Sequence, residues 1–389
     1  MRFMEETNAV RVKKQLPDDY FMWEGGQGLR STLIQRKGRF TQMEAPIVDK
    51  DIRHLTAKAR QVKDPAVARK AAFKAWRTMR TRNREQSAKG TTSLLLFSED
   101  IFSMPPGVVT GHYILHPPMI KASKLTYVEK GGVGKQLSDG WVINFAIGCT
   151  FGCKFCYVDE IHKKFGFRRA GGLVYNDWGF YFSVPENMEE VIRETEWSKW
   201  KGVEVMLSST HDPYLPQLRK WTRKILEHAL EAGVKFCIQT RSPLVEQDLD
   251  FLANYKKQVR LQVSIATLNP ILSRTAETRV VPPERRMDIL RAATKAGLKT
   301  GVIIAPVFPP VKARMNVKAD LEAMALELSG IRPDHVYGES LHVRGINLAY
   351  IENAIGEHLV LNGFDKKAED MFHEVLRKYG MKGIWWPEH

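Results

Sequence analysis

From about position 141 onward, short runs of β-branched and other apolar residues alternate with segments in which apolar residues recur every three to four positions. The runs predict strands and the periodic segments predict amphipathic helices. Predicted strands cover 142–147, 203–208, 234–239, 259–265, 300–305 and 335–342, and helices cover 188–199, 215–231, 248–255, 283–296 and 318–328. Strands that alternate with helices pair in parallel through right-handed crossovers. We therefore expect an α/β fold, a partial (β/α)6 barrel, with reactive groups on the loops beyond the strand carboxyl ends.

The residues before this pattern differ in composition. Segment 53–89 contains twelve Lys and Arg residues, and its Ala-rich part after Pro65 predicts a basic helix with Phe73 and Trp76 on its apolar stripe. Such a helix either neutralises phosphates or presents a solvated face to water. We expect three regions: a basic, partly helical N-terminal extension (1–135) that binds nucleic acid or substrate, a catalytic barrel (136–345), and a short helical C-terminal extension (346–389).

The charge and hydropathy of the chain limit the classes of partner and the cellular location that we expect. The chain has 389 residues, is 43% hydrophobic, and carries 59 Lys and Arg against 44 Asp and Glu, a net charge of +15. This excess favours polyanionic partners, although it is also consistent with a surface adapted to its host. No apolar stretch approaches the roughly 18 residues that span a bilayer, and the N-terminus has no signal-peptide core. We expect no membrane partner and a cytoplasmic location, where thiols stay reduced.

Three of the four cysteines lie within eight residues, directly after the first predicted strand. Cys149, Cys153 and Cys156 have the spacing C-x3-C-x2-C, and Gly148 and Gly152 permit tight turns in this cysteine loop (148–157). Three thiolates on a four-iron cluster leave one iron open to a further ligand. The alternatives are a zinc site with His162 as the fourth ligand and a disulfide framework. Both fit less well, since the remaining cysteine, Cys237, stands alone in an apolar run.

The cysteine loop resembles the motif of the radical S-adenosylmethionine (radical SAM) superfamily, including the aromatic Phe155 before the last cysteine. This resemblance implies that Cys149, Cys153 and Cys156 hold a catalytic [4Fe-4S] cluster whose open iron binds S-adenosylmethionine. It further implies one-electron reduction by a donor such as flavodoxin or ferredoxin, and release of a 5'-deoxyadenosyl radical.

Later motifs resemble the spore photoproduct lyase-like subfamily over roughly residues 144–344. Those motifs include Ser209-Thr210-His211-Asp212-Pro213-Tyr214, Thr240-Arg241-Ser242-Pro243-Leu244, Val263-Ser264-Ile265-Ala266-Thr267-Leu268 and Ala276-Glu277-Thr278-Arg279. By this resemblance the cofactor-binding residues are Phe155, Tyr157, Ser209, Thr210, Arg241, Ser264 and Glu277. Arg241 stands where the family more often has lysine, and Thr278 replaces its usual proline.

Ser209 occupies the place where spore photoproduct lyases carry a cysteine that returns a hydrogen atom to the product radical. A serine O–H bond is too strong for that step, so this departure argues against repair of that particular lesion. Cys237 is an alternative donor or a buried structural residue. Tyr157, Tyr214 and Tyr337 are radical relays or packing residues, and His211-Asp212 either contacts a ligand or braces its loop.

The sequence therefore predicts a radical SAM enzyme acting on a larger substrate, with DNA or RNA as the leading hypothesis. Its alternatives are radical modification of a protein or small metabolite, and an iron-sulfur nucleic-acid-binding protein that senses redox state without catalysis.

Overall fold

The computed structural model describes residues 31–36, 39–44, 104–123, 137–166 and 176–386. Contacts divide the chain into two units, Met1–Leu95 and Leu96–His389. In the first unit, strands β1 (Ser31–Arg36) and β2 (Arg39–Glu44) pair in antiparallel fashion. The predicted basic helix lies outside the described residues, and the three predicted regions stay a prediction.

An eight-stranded sheet forms the frame of the second unit. In spatial order its strands are β4 (Ile120–Ala122), β5 (Trp141–Ile143), β7 (Glu204–Leu207), β8 (Lys235–Thr240), β9 (Val259–Ser264), β10 (Lys299–Val307), β11 (His335–Ser340) and β12 (Ile384–Trp386). Only β4 pairs antiparallel within this described sheet; every other neighbouring pair is parallel. Strands β3 (Val109–Gly111) and β6 (Tyr181–Ser183) form a separate parallel pair. The predicted α/β fold is confirmed.

The sheet is curved, so that side chains from distant strands meet on its concave face. Val142 of β5 and Tyr337 of β11 are five places apart in the strand order, yet they belong to one buried cluster with Met206, Ile303 and Ala305. A flat sheet would keep these side chains far apart, because neighbouring strands are spaced about 4.8 Å. The strand pairing does not close on itself among the described residues, so the architecture is a partial barrel.

Helices pack against the sheet and against one another. They are α1 (Val158–Ile161), α2 (Met188–Glu194), α3 (Arg219–Glu231), α4 (Leu249–Ala253), α5 (Pro270–Ala276), α6 (Pro283–Lys295), α7 (Val317–Ile331), α8 (Asn347–Ile355) and α9 (Phe364–Lys378). In α3, for example, Thr222, Ile225, Leu226 and Ala229 recur at helical spacing and are buried. None of the helices in the described ranges is both long and apolar enough to cross a membrane.

The first barrel strand is shorter than predicted, and the shortening positions the cysteine loop. β5 ends at Ile143 instead of 147. Beyond β5, Ile147 does not pair with β7 and instead exchanges backbone hydrogen bonds of 3.0 and 2.8 Å with Ser183 of β6. The chain is thereby carried away from the sheet just before Gly148.

The pattern predicted extended chain over 113–127, where β4 lies, but it did not predict the edge strand β12 or helices α5 and α8. β12 adds the Trp385-Trp386 pair to the sheet beside β11. Trp385 is buried against Phe372, with ring centroids 5.3 Å apart, while Trp386 lines the cavity described below.

Candidate active site

The cysteine loop is held in a tight conformation that only glycine permits at its first position. Gly148 has a φ of +88°, and a Cβ atom there would lie 2.1 Å from the carbonyl oxygen of Tyr181. Its N–H donates to Nδ1 of His162 at 3.1 Å. Two turns follow, since Gly152 N–H donates to the Cys149 carbonyl and Cys156 N–H donates to the Cys153 carbonyl, both at 3.1 Å. These bonds fold the loop so that its three cysteines share one side.

Cys149, Cys153 and Cys156 line a single cavity of about 230 Å³ at the carboxyl ends of the strands, the mouth cavity. All three are free thiols, which removes the disulfide alternative. Burial raises the pKa of each thiol to about 12, so bare thiolates are disfavoured here. A bound cation that compensates the buried charge would reverse this preference, because metal coordination deprotonates thiols.

The three cysteines suit a cluster better than a single ion. Among the described residues, no three His, Cys, Asp or Glu side chains converge on one metal ion. In a cluster each thiolate binds its own iron, so the sulfurs need to share a cavity but not a centre. His162 is not one of the described cavity-lining residues, and its Nδ1 is used by Gly148. The zinc alternative therefore lacks its expected fourth ligand.

The strand ends bring most of the predicted polar residues to the mouth cavity. Its walls include Phe155, Tyr157, Ser209, Thr210, His211, Asp212, Arg241, His342 and Arg344. Ser264 and Glu277 are buried beside the cavity and do not line it. Ser264 reaches it indirectly, because its Oγ accepts a 3.1 Å hydrogen bond from Gln239, which is a lining residue. Thr267 is not one of the described lining residues, and its Oγ1 donates to Asp320.

Two aromatic residues of the cysteine loop stand at the cavity wall. The ring of Phe155 meets that of Phe308 edge-on at 5.7 Å, and the Arg241 guanidinium lies 5.8 Å from the Phe155 centroid. Burial raises the pKa of Tyr157 above its ordinary value, so its phenol stays protonated. Both rings are therefore fixed, uncharged surfaces next to the cysteines.

Arg241 belongs to a buried ionic network. Its Nε donates to Glu277 at 3.1 Å, and Glu277 also accepts two hydrogen bonds from Arg286, which is fully buried. Asp212 accepts from the backbone N–H of Arg241 at 2.6 Å and from Thr240 Oγ1 at 2.7 Å. Both Nη groups of Arg241 are left without a hydrogen-bond partner among the described residues. They are available for an anionic ligand in the cavity.

The other predicted ligand-binding side chains are held by neighbours. Ser209 is fastened to Asn144, which donates to its Oγ and accepts from its N–H, each at 3.0 Å. Asp212 braces its loop as described above. His211 differs, because its Nε2 is buried without a hydrogen-bond partner in the described part of the chain. Burial lowers the pKa of His211 to about 3, so a neutral ring faces the cavity.

Sequence reasoning missed Arg286 and Glu339. Arg286 falls on the buried stripe of α6 together with Pro283, Leu290 and Ala293, a helical spacing that was available as a signal. Glu339 lines the mouth cavity, and burial raises its pKa to about 7. The two-residue period along β11 places Glu339 on the same face as Tyr337, which also lines the cavity.

Of the other predicted candidates, Cys237 and Tyr214 are not among the described residues that line the cavity, whereas Tyr337 lines it. Cys237 is fully buried and is not among the described lining residues. Tyr214 is packed in the core, where burial raises its pKa, while the hydroxyl of Tyr337 accepts a 3.0 Å hydrogen bond from Arg260.

Comparison with known proteins agrees with this geometry. The family profile of the radical SAM superfamily matches residues 143–316. An uncharacterized protein of Acidianus two-tailed virus, ORF301, is 54% identical over 299 residues, which is 77% of this chain and 98% of that protein. The uncharacterized protein MJ0683 of Methanocaldococcus jannaschii is 29% identical over 171 residues, 43% of this chain and 61% of that protein.

Solved structures of spore photoproduct lyase share the fold. The lyase in complex with dinucleoside spore photoproduct superposes with a TM-score of 0.52 and 15% identity, covering 72% of this chain and 82% of that one. A variant with bound S-adenosylmethionine and dinucleoside spore photoproduct has a TM-score of 0.52 and 14% identity, with the same coverage. The radical SAM superfamily, whose profile matches this chain, implies a [4Fe-4S] cluster and S-adenosylmethionine, and the cysteines and polar groups of the mouth cavity fit both. The chain belongs to the radical SAM superfamily of enzymes.

Proposed function

We propose that the protein cleaves S-adenosylmethionine reductively at a [4Fe-4S] cluster held by Cys149, Cys153 and Cys156. The radical chemistry would act on a nucleic acid, in repair or modification. One observation carries the proposal: three cysteine thiols, those of Cys149 and Cys153 buried and that of Cys156 partly buried, share the mouth cavity with a guanidinium whose Nη groups are unengaged in the described structure. When bound, the cluster and S-adenosylmethionine supply a 5'-deoxyadenosyl radical that abstracts a hydrogen atom from the substrate.

The chain's own residues orient the ligand. Arg241 offers two Nη groups to the methionine carboxylate, and its Nε is anchored by Glu277, so the guanidinium is held in place before the ligand arrives. Thr210 and the neutral His211 present hydrogen-bonding atoms beside it. Phe155 and Tyr157 provide flat apolar surface for the adenine, and Ser264 acts through Gln239. Together these groups exclude water and place the ligand against the cysteine loop.

Nucleic acid is the substrate class that the charge and the fold favour. The net charge of +15 suits a phosphate backbone, and the structurally similar spore photoproduct lyase binds a dinucleoside. Ser209 separates this chain from that reaction, because a serine hydroxyl bonded to Asn144 cannot return a hydrogen atom as a thiol does. Cys237 does not lie at the described cavity wall either. We therefore propose that the product radical does not regain a hydrogen atom from either of these two residues. We place the reaction in the cytoplasm, with flavodoxin or ferredoxin as electron donor.

The enzymatic test is cleavage of S-adenosylmethionine by the anaerobically reconstituted protein with dithionite. We expect 5'-deoxyadenosine and methionine as products. Cys153→Ala should lose the cluster absorbance and turnover. Cys237→Ala is the matched control, since it removes an equally buried cysteine from outside the described cavity wall and should retain both. A protein that binds the cluster but never cleaves S-adenosylmethionine would support the redox-sensor alternative and sink the enzymatic proposal.

The substrate test has two readouts. Binding to DNA and RNA oligonucleotides should weaken steeply between 50 and 200 mM salt, as expected from about six or more phosphate contacts. Deuterated oligonucleotides should transfer deuterium into 5'-deoxyadenosine. If neither nucleic acid binds while cleavage proceeds, the substrate is a protein or small metabolite.

A further inference from the structure

Arg279, between α5 and α6, ties the cysteine loop to a neighbouring segment. Its Nη1 donates to the carbonyl of Thr150 at 2.9 Å and to the carbonyl of Gly179 at 2.7 Å. Thr150 directly follows Cys149. One guanidinium nitrogen thus bridges two segments that lie more than 25 residues apart in the sequence, next to the first predicted cluster ligand.

The approach of Arg279 depends on two glycines. Gly152 and Gly179 have φ values of +56° and +91°, and a Cβ atom on Gly179 would lie 2.7 Å from the Gly152 Cα and 3.2 Å from Arg279 Nη1. The guanidinium also lies over the ring of Phe180, 4.3 Å from its centroid. The side chain is therefore confined on several sides, with its charge against the cysteine loop.

The positive charge of Arg279 is not neutralised locally. Arg241 and Arg286 both pair with Glu277, and Arg285 pairs with Glu246. No carboxylate in the described ranges pairs with Arg279, whose polar partners are the two carbonyl groups. Burial lowers the pKa of Arg279, while a thiolate at Cys149 raises it. A guanidinium nevertheless stays protonated at all relevant pH values. Its favourable electrostatic partner is therefore the anionic group that the cysteines hold.

We propose that Arg279 is a positioning residue that sets the reduction potential of the [4Fe-4S] cluster. It holds the loop through Thr150, and its unneutralised charge favours the reduced, more negative cluster. Net charge, hydrogen bonding and exposure are the features by which proteins tune such potentials. The inference rests on the proposed function, because it requires the cluster to be bound by the three cysteines.

The test compares three variants after anaerobic reconstitution without S-adenosylmethionine. Arg279→Gln removes the charge and keeps an amide donor, Arg279→Lys keeps the charge, and Arg274→Gln is the control. Arg274 is an exposed residue of α5, so its removal changes the net charge equally but at a position where solvent screens it. Iron and sulfide analysis reports cluster content, and an EPR-monitored titration with dithionite reports the midpoint potential.

For Arg279→Gln we expect wild-type iron content and about a tenfold smaller equilibrium constant for one-electron reduction, a midpoint about 59 mV lower. Arg279→Lys and Arg274→Gln should stay at the wild-type potential. If only Arg279→Gln loses the cluster, the Arg279 charge serves cluster binding and not the reduction potential, and the proposal is overturned. Equal potentials in all variants overturn the proposal, as does cluster loss or an equal shift in both Arg279 variants. A wild-type protein without a cluster refutes the proposed function instead.

Discussion

Removal of the Glu277 carboxylate is the perturbation that most directly tests the support beneath the mouth cavity. Glu277 is 2% exposed and Arg286 is fully buried. The carboxylate accepts from Arg286 through both oxygens and from Arg241 through one. Glu277→Ala leaves Arg286 charged and buried, with the Ser264 carbonyl and Ser273 Oγ as its remaining partners.

The expected cost follows from this burial. Removing one partner of a buried ion pair costs about 3–5 kcal/mol, because the other charge stays desolvated. At roughly 2 °C per kcal/mol for a unit of this size, the melting temperature should fall by about 6–10 °C. The assay is thermal unfolding of the cluster-free protein, so that loss of cofactor does not contribute. Lys366→Ala is the control, since Lys366 pairs with Glu369 and Asp370 on the surface, where solvent screens both pairs, and its removal should leave the melting temperature almost unchanged.

A double variant separates ion pairing from packing. Glu277→Ala with Arg286→Met removes both buried charges, so it should unfold at a higher temperature than Glu277→Ala alone. The reasoning would be refuted if the double variant were the less stable of the two. It would be refuted equally if Glu277→Ala cost no more than Lys366→Ala.

Two further changes test the cysteine loop and the cavity wall. Gly148→Ala should cost about 2–5 kcal/mol and abolish cluster assembly, because it combines a left-handed φ with a clash against Tyr181. Gly202→Ala, at a φ of +81° with open space around it, should cost only about 1–2 kcal/mol and spare iron content; equal losses would contradict the clash. Burial raises the pKa of Glu339 to about 7, so the folded state favours its protonated form and loses that stability as pH rises from about 4.5 through 7. Relative to the wild type, Glu339→Gln should therefore become more stable as the pH rises from 5 to 8, which is measured as a rise in its melting temperature over that of the wild type. The gain in free energy of unfolding should stay below about 3 kcal/mol, because the Glu339 side chain is 31% exposed. A constant difference across this range would show that Glu339 does not titrate there.

The order of strands and helices was predictable because it depends on local periodicity. The run from Val259 to Ser264, for example, alternates apolar with polar residues, and this two-residue period is typical of a strand. The edge strand β12 and the pairing partner of β4 were not predictable, because three-residue segments carry too little pattern to specify pairing. The early end of β5 also escaped prediction, since it depends on Ile147 pairing with Ser183, a contact across 36 residues.

The predicted site residues also fall into two groups: those whose position follows from the strand order and those that only tertiary contacts identify. Residues that directly follow strands, such as Ser209, Thr210 and Arg241, reach the mouth cavity, because parallel strands end at one edge of the sheet. Glu277 follows a helix and lies behind Arg241, where only its contacts identify it as a brace. Their roles in binding S-adenosylmethionine stay predictions.

The sequence by itself determined the parallel α/β fold and the three cysteines on a loop after the first barrel strand, because spacing and periodicity are local properties of the chain. The tertiary structure decided which charges are neutralised and which are not. Glu277 neutralises Arg241 and Arg286 from a position 36 and 9 residues away, whereas Arg279 reaches the cysteine loop with no carboxylate beside it in the described structure. Such differences arise from distances between remote segments, and only the folded chain establishes those distances.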